Sequence, residues 1–236
     1  LVAMNTMLAD SLNWIADNLE AQIKSGETQA AAVINVLKLL MENHGNVVFG
    51  GDGYSSEWHR MAVEERGLKN IPTTADALPA LKDPAVIELF SSTGVLTPLE
   101  VESRYNVYSE QYILAIEVEA KLVSDLAKTA IYPAAMSYLS SLTTTMSGAQ
   151  ASGITLGFNV LNKIASDLNA MMALVEKLDE AIAKHDFTST EEHMNFCAYE
   201  IRKLMDETRL YADSLELSIA DQYWPLPKYS EMLFIK

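Results

Sequence analysis

Few residues in this chain have the type and spacing to do chemistry. Gly50-Gly51-Asp52-Gly53 is glycine-rich, as phosphate-cradling loops are. It fits neither phosphate template: Ser56 stands where the dinucleotide fingerprint has its last glycine, and no Gly-Lys-Ser/Thr follows. Glycine's conformational freedom predicts instead a turn whose backbone needs positive φ. Asp52, Glu57 and His59 lie close together and could move protons, but capping and solvent contacts account for a polar loop leading into a helix. The histidines, His44, His59, His185 and His193, show no Glu three residues before and no His-Glu-x-x-His. His44 and His185 sit near helix C-termini, where partial positive charge is favourable. Cys197 falls on an apolar seam and reads as a core thiol. Met171, Met172 and the tyrosines Tyr105, Tyr108 and Tyr112 read as packing. No catalytic, cofactor-binding or metal-binding residue is assigned.

The elements that would position such residues are helices. Thr97-Pro98-Leu99-Glu100 is a helix start, with Thr97 as cap, Pro98 at the first position and Glu100 three after the cap. The long helix it opens runs to Met146, with two rows of apolar residues. One holds Val101, Tyr105, Tyr108, Tyr112, Ala115, Leu122 and Leu126; beside it lie Ile113, Ile116, Ala120, Val123, Ala127 and Ala130. Pro133 should kink this helix without ending it.

Ahead of it, residues 5–24 and Thr28 to His44 form a helical hairpin, stopped at Ser25-Gly26 and Gly45. Ser55 caps a helix over residues 56–66 closed by Gly67, residues 68–83 are irregular, and Asp83-Pro84 opens a helix to Ser92. After Met146, residues 147–153 read as a flexible connector. Leu161, Ile164, Leu168, Met171, Val175, Leu178 and Ile182 then alternate steps of three and four. Ser189 and Glu192 make a capping box for a last helix, whose seam is Met194, Cys197, Ile201, Leu204, Thr208, Tyr211 and Leu215 and which Trp224-Pro225 ends. The expected fold is all-α: an N-terminal helical hairpin and short helices leading into a long-helix three-helix bundle, divided as 1–96 and 97–236.

Composition narrows the partners. Thirty-two acids against seventeen bases give a formal net charge of −15 over 236 residues, which repels phosphate backbones and anionic membrane surfaces. No run of 18 apolar residues exists. A single cysteine fits a cytoplasmic protein. The opening Leu-Val-Ala-Met-Asn-Thr, already helical in pattern, suggests a cut-out from a longer polypeptide.

Residues 47–58 (Val-Val-Phe-Gly-Gly-Asp-Gly-Tyr-Ser-Ser-Glu-Trp), 65–70 (Glu-Arg-Gly-Leu-Lys-Asn) and 74–81 (Thr-Ala-Asp-Ala-Leu-Pro-Ala-Leu) resemble the C-terminal part of type III glutamine synthetases. The match continues through Glu102-Ser-Arg-Tyr, Ile131-Tyr-Pro-Ala and Tyr223-Trp-Pro-Leu-Pro-Lys-Tyr to the Leu233-Phe234 tail, and is weakest over the two heptad helices. The resemblance implies the helical end of a glutamate–ammonia ligase in glutamine biosynthesis. ATP and magnesium or manganese would bind upstream of Leu1, and the full-length enzyme would form a homo-oligomer of stacked rings. The fragment alone would be inactive, with its upstream catalytic domain as first partner. A self-standing helical protein–protein interaction module is the alternative.

The cut also marks a candidate interface. Leu8, Leu12, Ile15 and Leu19 can face the second helix, whereas Met4, Met7 and Trp14 point away, toward an expected catalytic-domain surface.

Overall fold

Side-chain caps set most of the helix starts. The computed structural model describes residues 1–233 and is all-α, with no strand among them. The chain divides into two compact units, Leu1–Tyr108 and Ser109–Lys236.

In the first unit, α1 (Val2–Lys24) and α2 (Gln29–His44) form the hairpin. Gly26 turns it at φ +103, a conformation that L side chains avoid. Thr28 Oγ1 accepts from the Ala31 N–H at 3.3 Å, and Asn35 Nδ2 donates to Gln22 Oε1 at 3.0 Å across the pair. Gly45 follows α2 as expected but stays right-handed, opening a 3-10 turn at Gly45–Val47. Ser55 caps α3 (Ser56–Glu64), and Gly67 closes it at φ +67. Residues 68–83 are more regular than expected. Thr73 accepts from the Asp76 N–H and donates to its carboxylate, which starts the single turn α4 (Thr74–Ala77). A 3-10 turn over Leu78–Lys82 follows, and Asp83 caps α5 (Pro84–Ser92). Ala32, Val36, Ala75, Phe90, Val101 and Tyr105 are the buried apolar residues of this unit.

The long helix begins as α6 (Pro98–Leu126), with Thr97 and Glu100 capping each other as the sequence predicts. Ahead of Pro133 it passes through a π turn at Ala127–Ile131, then continues as α7 (Tyr132–Ala151). Pro133 has no N–H to donate, and the wider turn just before it lets the Tyr132 N–H reach Ala127 O. The expected kink is therefore a π turn. Of the two apolar rows, the one from Ile113 to Ala130 is the inner; Tyr108 and Leu122 are exposed.

Helix α7 runs through Gly148 to Ala151, so the connector comes later than expected, over residues 152–158. It leads to α8 (Asn159–Ile182), and α9 (Thr190–Phe196) follows. A second π turn at Cys197–Ile201 leads into α10 (Arg202–Ser218). The last helix ends at Ser218, not at Trp224-Pro225, because Ile219 turns extended at ψ 134. Glu192 departs from a plain capping box: its carboxylate takes the Thr188 N–H at 2.8 Å while Ser189 Oγ caps the Glu192 N–H.

These helices pack as an antiparallel three-helix bundle, early α8 meeting late α10 and late α8 meeting α6. Ala127, Ile131 and Ala135 meet Ile164, Leu168, Met171 and Val175 of α8, with Leu215 and Ile219 closing the core. Burying each aliphatic side chain contributes about 1.5–3 kcal/mol. Leu204 is only half-buried. Phe234, the end of the tail, lies outside the described residues.

Candidate functional site

The first unit carries the candidate interface. Met4 is 72% exposed, Met7 58%, and Trp14 is half-buried. Leu8 and Leu12, expected to face α2, are exposed as well, and Ile15 and Leu19 are half-buried. The cause is length: α1 has 23 residues and α2 has 16, so the first turns of α1 run past their neighbour. Thr6 is the buried residue there, its hydroxyl bonded to Val2 O at 2.9 Å. On α2, Val33, Leu37 and Met41 repeat at helical spacing and are likewise exposed. Apolar stripes of this extent mark contact surfaces more than solvated ones.

The glycine-rich loop is built by side chains around it. Phe49 and Trp58 stack at 4.0 Å and 17°, and the Arg66 guanidinium lies over both rings. Arg66 Nη1 also donates to Val48 O at 2.6 Å, and Asn46 Nδ2 donates to Arg66 O at 2.9 Å. Asp52 Oδ1 accepts from the Tyr54 N–H at 3.0 Å, and Ser55 Oγ donates to Asp52 O at 2.8 Å. The expected positive φ is not found at Gly50, Gly51 or Gly53. What Gly51 supplies is space: a Cβ there would come within 2.5 Å of the Phe49 ring. Around Gly50 and Gly53 a Cβ would meet nothing.

The proton-transfer candidates are dispersed. Asp52 is committed to the loop, Glu57 shares Arg60 with Glu64 and Glu65, and His59 is exposed on α3. In the second unit His193 Nε2 lies 3.1 Å from Glu117, its ring stacked on Phe187 at 4.1 Å. Cys197 is fully buried, and burial, helped by the Glu117 charge, pushes its thiol up to about 11. A thiol held that way is a poor nucleophile. His44 ends α2 as expected, and His185 follows α8.

The donor set does not fit a divalent metal: among the described residues no three His, Cys, Asp or Glu side chains are grouped to hold one. Nor is the Gly50–Gly53 loop followed by the Gly-Lys-Ser/Thr of a phosphate-binding loop. Among the described residues no helix is long and apolar enough to cross a membrane.

Two carboxylates join the helices of the bundle, and sequence patterns did not mark either. Asp179 on α8 accepts from Ser124 Oγ and pairs with Lys128, while Asp167 accepts from Ser214 Oγ at 2.8 Å and pairs with Lys163 at 2.7 Å. The Phe49–Trp58–Arg66 stack was also missed, because its members come from separate segments with no shared period.

Comparison with known proteins follows the same lines. The family model described as glutamine synthetase C-terminal domain matches residues 32–150. A type-3 glutamine synthetase of Dictyostelium discoideum is 31% identical over 244 residues, covering 100% of this chain and 33% of that protein. Glutamine synthetases of Bacteroides fragilis (strain YCH46) and Butyrivibrio fibrisolvens are each 29% identical, over 100% and 92% of the chain and 34% and 32% of their own lengths. The chain thus spans about a third of the curated relatives it matches.

Proposed function

This chain belongs to the glutamine synthetase C-terminal domain family, and from that premise we propose that it is the helical C-terminal region of a glutamate–ammonia ligase, shaping or assembling an enzyme whose catalytic residues lie elsewhere in the polypeptide. Residues 1–96 would end the catalytic region and residues 97–236 would form the assembly bundle, a division by role. ATP and magnesium or manganese belong to the full-length enzyme, a homo-oligomer of stacked rings. A cytoplasmic setting goes with this reading, supported by a single buried, unpaired thiol at Cys197. Nucleic acid and membrane are not among the proposed partners, in keeping with the net charge of −15.

One observation carries the proposal: the exposed start of α1, where Met4 and Met7 project from a helix that outruns its own hairpin partner. Apolar side chains so placed suit a surface from the rest of the polypeptide. The test is the double substitution Met4→Glu, Met7→Glu in the full-length synthetase, followed by light scattering and glutamine synthesis. Smaller species or lost activity are expected. Unchanged assembly and unchanged rate would reject the interface.

A further inference from the structure

The Gly50–Tyr54 loop has features that its own chain does not use. Three of its four leading residues are glycine, yet none of them takes positive φ, and only Gly51 is needed to clear a neighbour. Gly50 and Gly53 stand in open space. Glycine costs backbone entropy on folding, so a glycine without a local steric or conformational role suits close approach by something outside the chain. The tip is also held in advance. The Phe49–Trp58 stack, the Arg66 guanidinium and the Asp52 turn fix its base, while Tyr54 projects from it 95% exposed. Val47 and Val48, just before it, are exposed as well. A rigid base, a backbone without side chains and an aromatic tip together form a docking element, and tyrosine is a common anchor in such contacts.

We infer that this loop docks onto protein surface from the two-thirds of the glutamine synthetase polypeptide that this chain does not span; the inference rests on the family reading above and adds a second contact to it. Charge disfavours a second copy of this chain as the occupant. The whole chain is at −15, and Asp52 in the loop is followed in sequence by Glu57, Glu64 and Glu65, three carboxylates that share Arg60. An anionic ligand meets the same acidic surroundings.

Hydroxyl-radical footprinting of the full-length synthetase, read by mass spectrometry against the urea-unfolded protein, tests this directly. Docking excludes water, so Tyr54 should be oxidised at least about fivefold more slowly in the native enzyme. Gly50→Val and Gly53→Val, each adding bulk where this chain has room, should return Tyr54 toward its unfolded reactivity. A photo-crosslinker at position 54 should capture peptides from outside residues 1–236. Tyr54 reacting natively as fast as in urea overturns the inference, as does a crosslink to residues 1–236 of another copy. The same map reads Met4 and Met7 independently. Protected methionines with a reactive Tyr54 reject the loop and keep the α1 interface; the reverse pattern rejects α1 and keeps the loop.

Discussion

Ser124 donates its hydroxyl proton to Asp179 at 2.6 Å, joining α6 to α8 through side chains 55 positions apart in sequence. Lys128, about one turn further along in the π turn that follows α6, pairs with the other oxygen of the same carboxylate. Burial alone would raise the Asp179 pKa, but the hydrogen bonds from Lys128 and Ser124 and the Lys128 charge outweigh it and hold the group below the ordinary aspartate value. Asp167, half-buried and bonded to Lys163 on its own helix and to Ser214 on α10, is lowered in the same way.

The first prediction follows from that sign. A depressed folded pKa gives stability that is present above the unfolded value, about 3.9, and is lost as pH falls through the lower folded one. The urea midpoint should therefore fall below about pH 4 to 5, and Asp179→Asn should flatten that acid limb. A variant with the same acid slope as the parent would show that Asp179 does not contribute to it.

The second separates two leucines on facing helices. Leu168 is 3% exposed in the core cluster, so Leu168→Ala should cost about 2–5 kcal/mol through lost transfer energy and a cavity. Leu204 is half-buried, and Leu204→Ala should cost clearly less. Equal losses in chemical denaturation would contradict the packing described for α10.

The third concerns Cys197. With its thiol raised to about 11 and fully buried, it should resist a disulfide reagent at pH 8 in the native protein and react at once in denaturant. Stoichiometric reaction on mixing, without denaturant, would refute the burial.

A fourth contrasts glycines. Gly67→Ala puts a side chain at φ +67 and should destabilise by about 1 kcal/mol or more. Gly51→Ala meets the Phe49 ring and should disturb its stack on Trp58, seen as a change in tryptophan fluorescence. Gly50→Ala should leave both stability and fluorescence near parental values, since it adds a methyl group to open space. A Gly50→Ala loss as large as that of Gly67→Ala would mean the loop conformation is wrong.

Local signals in the sequence were the legible ones. Ser55, Asp83, Thr97 and Ser189 all stand where their side chains cap helices, because capping depends on three or four neighbouring residues alone. The α8 seam was legible for the same reason: Ile164, Leu168, Met171, Val175 and Leu178 are all buried on one unbroken stripe. Periodicity identifies a face but not how far the neighbour reaches, which is why Leu8 and Leu12 were placed against α2 and are found open. The Gly50–Gly53 loop was read through φ because composition suggests conformation, whereas the ring that demands Gly51 becomes visible only in three dimensions. At Cys197–Ile201 no proline or glycine marks the π turn, so nothing in the residues announced it.

Those two π turns also bear on how this bundle can change length. A single deletion inside α8 would rotate everything downstream by roughly 100°, a full residue's step at 3.6 per turn, and carry its core stripe off the seam. A π turn already holds one residue more than the α-helical path requires. Losing one residue from Cys197–Ile201 would restore a plain α-helix and leave Met194 on one side and Thr208 and Leu215 on the other in their present phase. The corresponding loss at Ala127–Ile131 would be costlier, since it returns Pro133 to an ordinary helix interior. Single-residue length variation in this bundle should therefore be tolerated best at the second π turn, less well at the first, and least within α8.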